Sequence, residues 1–228
     1  MRDQTRPLRI YSCKDKYTIV ADLLRSKTGT LLDVGARDRV LRRFLDPQTL
    51  IYYSGDLSPG HDYQLNLEEK LPLADCSFDY VVALDVLEHV EHIHLAFQEL
   101  ARITRKCLII ALPNMATLPR RWSFLWHGNL GTGKYDLLFE HQGDRHRWLT
   151  VYSEINTFID VNAAQAGLNL DMVIEELESG RIMRFIALVA TSLGFFRNGL
   201  MTGRCIYVMV RKQAGDVHSR FQISNRRQ

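Results

Sequence analysis

Short apolar runs rich in β-branched residues alternate along this chain with longer stretches whose apolar residues recur at helical spacing. That alternation confines the chain to a mainly parallel sheet with helices on both faces, because parallel neighbours must be joined by helix-length crossovers. Strands are predicted at GTLLDV (29–34), LIYYSG (50–55), DYQLN (62–66), FDYVVAL (78–84), KCLIIAL (106–112), LNLDMVIEEL (168–177) and RCIYVMVR (204–211), seven in all. Tyr17, Val20, Leu23 and Leu24 form one helical stripe, and Leu95, Phe97, Leu100 and Ile103 belong to another. Residues 113–150 read as irregular, with two glycine-bearing patches and three tryptophans, and a helix is expected at about 152–167. The 228 residues, 46% hydrophobic, suffice for one domain spanning 1–228.

Charge is unevenly spread. The net +3 hides a split: residues 181–228 hold nine Lys/Arg against Asp216, or +8, which leaves −5 for residues 1–180. A basic C-terminal part, with a basic tail at 212–228, suits an anionic partner or a solvated face equally well. The uncharged run 185–196, flanked by Arg184 and Arg197, is too short to span a membrane, and it reads as a buried helix, a dimer face or an interfacial membrane helix. Cysteines at 13, 76, 107 and 205 never come closer than 31 residues, so a reducing, cytoplasmic setting is expected. The charged N-terminal stretch MRDQTRPLRIYSCKDK lacks the apolar core of a secretion signal.

Three motifs carry chemistry. LLDVGARDRVLRRFL (31–45) is a strand ending in Asp-Val-Gly that leads into a predicted helix, the place where an open α/β sheet binds ligands. Arg37 and Val40 stand where a dinucleotide fingerprint needs glycine, which disfavours a pyrophosphate cradle. Asp56 ends the second strand, 21 residues after Gly35, where a carboxylate can accept both hydroxyls of a ribose. In LPLADCSFDYVVALDVLEHV (71–90), an acidic turn precedes a strand that ends at Leu84-Asp85.

With LIIALPN after them, these pieces resemble the class I S-adenosylmethionine-dependent methyltransferases, in the subgroup of small-molecule O- and C-methyltransferases, from about residue 14 to 211. The resemblance implies a Rossmann-like, seven-stranded, mostly parallel sheet with helices on both faces and a C-terminal antiparallel strand. It implies S-adenosyl-L-methionine as cofactor, with Asp33 reaching its amino group, Gly35 and Ala36 passing under the methionine, and Asp56 on the ribose. Leu57 would flank the adenine, Asn66 and Leu67 its edge, and Leu84 and Asp85 the methionine side. Arg37 and Arg39 depart from the family's small residues; either would crowd the cofactor's carboxylate or pair with it.

The expected reaction is methyl transfer to a hydroxyl of a small or lipid-linked metabolite, in an acceptor pocket built by 113–150 and 178–203. Candidate bases are His146 and His141, near Asp144; Arg120, Arg121, Trp122 and Trp126 are candidate acceptor contacts. Alternatives are a catalytically silent scaffold and a peripheral membrane-binding module that meets anionic lipid. A nucleic acid acceptor is disfavoured, since Leu84-Asp85-Val86-Leu87 stands where base methylation has an Asn-Pro-Pro-Tyr type signature. GNLGTGK (128–134) has P-loop spacing, but Tyr135 replaces the magnesium-binding Ser/Thr and no apolar strand precedes it. His89, His92 and His94 lack metal-ligand spacing, and no metal is expected there.

Overall fold

A computed structural model describes residues 6–135, 145–177 and 199–211. The run 185–196, His141 and Asp144, the tail 212–228 and most of 178–203 lie outside the described residues. In chain order the elements are β1 (Leu8–Ser12), α1 (Lys16–Leu24), β2 (Gly29–Val34), β3 (Leu50–Asp56), β4 (Tyr63–Gln64), β5 (Phe78–Leu84), α2 (Ile93–Ile103), β6 (Thr104–Pro113), α3 (Leu118–His127), α4 (Tyr152–Gln165), β7 (Leu168–Leu177) and β8 (Thr202–Arg211).

The eight strands form one sheet in the order β1-β7-β8-β6-β5-β2-β3-β4. Every pairing is parallel except those of β8, which runs antiparallel to both β6 and β7. The expected α/β class therefore holds, with β1 an edge strand that the seven predicted strands did not include. Its sequence, LRIYS, is weakly patterned; Leu8 and Tyr11 are exposed, and only Ile10 packs on the core.

Period-two alternation divides the core cleanly between the two sheet faces. Leu31, Tyr80, Val82, Ile109, Ile206 and Val208 meet Ile19, Val20, Leu23 and Leu24 of α1 on one face. Leu32, Val81, Leu108, Ile110 and Tyr207 meet Phe97 and Leu100 of α2 and Ile155 and Ile159 of α4 on the other. All seven residues of β5 are buried, as a central strand covered on both sides requires. The α2 stripe uses Ile93 and Ala96 in place of the predicted Leu95, which is exposed.

Two expectations fail locally. The segment after Gly35 makes only a 3-10 turn at Leu41–Phe44, because Arg37 and Arg39 hold φ of 42° and 53°, which no α-helix accommodates. The stretch read as irregular contains α3, bounded by Pro119 at its start and by Gly128 in the left-handed conformation at its end. No helix among the described residues is long and apolar enough to cross a membrane.

Candidate functional site

The chain runs from β2 outward to β3 and β4, then returns to β5 on the opposite side of β2. That reversal opens a crevice at the carboxyl ends of β2 and β5, where ligands bind in open α/β sheets. A cavity of about 850 Å³ occupies it, within the size range that encloses a drug-sized ligand. Asp33, Gly35, Ala36, Arg37, Asp56, Leu57, Asn66, Leu67, Leu84 and Asp85 all line this cavity, as does His146.

Gly35 fixes the floor. Its φ is 70°, and an added Cβ would sit 2.4 Å from Val86 Cγ2, so only glycine allows β2 and the turn after β5 to approach this closely. The Gly35 amide donates to Gly55 O at 2.8 Å, which ties the floor to β3. Beside it, Asp33 is buried and accepts a 2.7 Å hydrogen bond from the Tyr52 hydroxyl. Burial pushes its carboxyl up to about 6, against the opposing effects of Tyr52 and Lys16.

Asp56 accepts from the Arg37 amide at 3.1 Å through Oδ2, and from the Ser58 amide and hydroxyl through Oδ1. Burial alone would raise its carboxyl, but these donors outweigh it and keep Asp56 ionised as an acceptor. Asn66 lines the cavity with its side chain committed locally: its amide donates to Glu69 and its carbonyl accepts from the Glu68 amide. Arg37 lines the cavity, whereas Arg39 turns away to Ser54 Oγ and the Gly60 carbonyl. Of the candidate acceptor contacts, Arg120 lines the cavity; Arg121, Trp122 and Trp126 do not.

Several wall residues had no signal in the sequence. Lys16 from α1 and Arg204 from β8 pair with Asp85 at 2.8 Å each. Burial would raise the Asp85 carboxyl, but the two cations outweigh it and hold it below the usual carboxylate range. Asp85 itself has φ of 58°, a left-handed turn residue at the strand end. The GNLGTGK segment follows a helix, not a strand, and contributes Gly131, Thr132 and Lys134 to the wall.

One corner of the cavity brings together residues more than fifty positions apart. Residues 145–148 are stitched to the turn 88–91: the Arg147 and Trp148 amides donate to Glu88 O, Trp148 Nε1 donates to Val90 O at 2.7 Å, and Arg147 pairs with Glu91. His146 is thereby held with Nε2 at 3.9 Å from Glu88 Oε1 and its ring edge-on to that of His89, centroids 4.8 Å apart. Glu88 is fully buried, and burial with the neighbouring Asp85 charge pushes its carboxyl up to about 8. Burial and Glu88 also push the Tyr135 hydroxyl up to about 12, so it stays protonated and donates to Trp148 O at 2.8 Å. His92 is exposed and His94 bonds Asn162, so neither joins the corner.

Residues 32–110 match the family model described as "Methyltransferase domain". Around that match, the fold is that of class I S-adenosylmethionine-dependent methyltransferases. A comparison with curated proteins found no match. Among solved structures, this chain is similar to a putative methyltransferase (BH2331) from Bacillus halodurans C-125, at 14% identity and a TM-score of 0.55, with 86% of this chain and 99% of that one covered. It is also similar to the magnesium protoporphyrin IX methyltransferase ChlM from Synechocystis PCC 6803, solved with bound SAH, at 17% identity and 0.54, covering 86% and 82%. A third is the putative methyltransferase solved in complex with the Haloferax volcanii Trm112 methyltransferase activator, at 17% and 0.54, covering 88% and 91%. At these identities the likeness carries the fold.

Proposed function

We propose that the chain transfers the methyl group of S-adenosylmethionine to a hydroxyl of a small or lipid-linked metabolite. The observation that carries this reading is the convergence of Asp33, Gly35, Asp56 and Asp85 on one cavity at the reversal of strand order. The residues suit the cofactor. Asp33 is a buried carboxylate with no directly bonded cation among the described residues, so the cofactor's ammonium would favour its charged form. Asp56 would take the ribose hydroxyls on the lone pairs that Ser58 and Arg37 leave, and Arg37 would pair with the carboxylate. Gly35 and Ala36 would pass under the methionine, Leu84 and Asp85 would border it, and Leu57, Asn66 and Leu67 would surround the adenine.

The cofactor supplies an electrophilic methyl carbon on a sulfonium, so the acceptor oxygen gains the C–O bond as the C–S pair returns to sulfur. The chain's task is to align the acceptor and remove its proton. The Glu88–His89–His146 corner stands on the cavity wall for that purpose, with His146 the candidate base among the described residues. Residues 113–150 and 178–203 form the acceptor side in this reading. An apolar acceptor tail suits α3, which enters the wall through Arg120 and leaves Trp122, Phe124, Leu125 and Trp126 exposed.

Calorimetry with S-adenosylmethionine tests the proposal, followed by an assay for S-adenosylhomocysteine release on a panel of hydroxylated acceptors. Stoichiometric binding is expected, weakened at least about tenfold in Asp56→Ala, the equivalent of a lost charge-assisted hydrogen bond. Absence of binding, or an Asp56→Ala variant that binds as well as the parent, overturns it.

A further inference from the structure

Glu88 is the unusual group on the cavity wall. Its carboxylate is fully buried, and neither oxygen accepts a hydrogen bond from the described residues. An ionisable group in that condition calls for a cation or a proton, since burial without either costs several kcal/mol. The nearby cations are already placed elsewhere: Lys16 and Arg204 bond the two oxygens of Asp85. Beside Glu88 lie two imidazoles instead, and the candidate donor atoms of Glu88, His89 and His146 all fall within 4.8 Å of one another.

Both rings are oriented from behind. His89 Nδ1 is 2.8 Å from the Arg145 carbonyl, which can only accept, so Nδ1 carries the proton and the lone pair sits on Nε2. His146 Nδ1 is 3.2 Å from the Tyr135 hydroxyl, whose own hydrogen goes to Trp148 O, so Nδ1 again donates and the lone pair again sits on Nε2. For His146 that nitrogen is the one 3.9 Å from Glu88. Holding the distal ring N–H with a carbonyl or hydroxyl oxygen is how proteins fix histidines for a metal.

We propose that Glu88, His89 and His146 bind one divalent transition-metal ion on the wall of the cavity. Donors sharing one ion at roughly 2.1 Å lie up to about 4.2 Å apart, so side-chain rotation closes the difference. Two imidazole nitrogens and one carboxylate oxygen favour manganese, iron, cobalt or zinc over magnesium or calcium, which prefer all-oxygen shells. Three protein donors leave further positions open, and all three residues border the cavity, so those positions face whatever it contains.

The role of the ion, though not its binding, rests on the methyltransferase reading. An acceptor hydroxyl in an open position loses its proton to solvent more readily, and its oxygen is fixed for attack on the methyl carbon. His146 then holds metal through Nε2 instead of taking the proton.

Full-length protein stripped with a chelator and titrated with manganese, read by the paramagnetic signal of the free ion, should bind one ion per chain. Cobalt should give d–d absorption bands. Glu88→Gln and His146→Ala should each weaken binding roughly tenfold or more, at an unchanged circular dichroism spectrum. His94→Ala, outside the cluster, should bind as the parent does. His146→Ala, on a mostly exposed connecting segment, keeps the test decisive if Glu88→Gln misfolds. Failure to saturate, or undiminished affinity in both variants, overturns the site. Metal binding without S-adenosylmethionine binding would leave the site standing and remove the transferase reading; the reverse result would remove the site alone.

Discussion

Asp33 pays for its position at the carboxyl end of β2 with an elevated carboxyl. Folding raises it from the ordinary value near 3.8 to about 6, so the folded state binds a proton that the unfolded chain has released between those values. Stability contributed by the neutral form is thus complete below about pH 4 and is lost as pH rises through 6, by up to ~3 kcal/mol. Urea titrations from pH 4 to 7 should show Asp33→Asn gaining on the parent across that window; parallel curves would refute the assignment. Asp33, Gly35 and Asp56 were legible in the sequence because a strand end displays its chemistry locally, as an acid or glycine after an apolar run. Glu88, Lys16 and Arg204 were not, because nothing near them in the chain announces which distant carboxylate or cation they will meet. Arg39 illustrates the same limit: the family resemblance implied a place beside the cofactor's carboxylate, and its left-handed backbone carries it to Ser54 instead.

Elements are joined at the functional end by a few buried polar groups. Asn114, at the end of β6, donates to Gly199 O and Thr202 O at 2.7 and 2.8 Å and accepts from the amides of Ala116 and Tyr152. One amide thereby connects β6, the start of α4 and the approach to β8. Asn114→Ala leaves several buried groups without partners, and urea denaturation should show a loss of about 2–4 kcal/mol. Glu175 plays a comparable part at the other edge, accepting from Arg9 of β1, Tyr152 of α4 and Thr202 of β8. This junction was not legible in the sequence, since the partners of Asn114 lie tens of residues away. β1 and α3 escaped prediction for a related reason: β1 is short and packs through one side chain, and no residue of α3 is buried, so neither carries a periodic core signal.

At the scale of the molecule, the mainly parallel sheet with helices on both faces was legible because hydrophobic periodicity and connection length almost dictate it. The walls that α3 and the segments 131–134 and 145–148 give the cavity were not, because no period encodes the shape of connecting segments. A cavity shaped for a ligand predicts linkage: at one hundred times its dissociation constant, S-adenosylmethionine should stabilise the fold by about 2.7 kcal/mol, visible as a raised melting temperature. The rise should vanish in Asp56→Ala. One architectural fact bears on how the chain reaches this state. β8, the last described strand in sequence, lies between β6 and β7, with hydrogen-bonded neighbours on both sides. A nascent chain emerging from the ribosome therefore carries a gap in the middle of its sheet until residue 211 has appeared, with two unprotected strand edges facing one another. Completion is a zippering event that waits for residue 211, and a chain interrupted before it would be a template for aggregation, not a smaller version of the same domain.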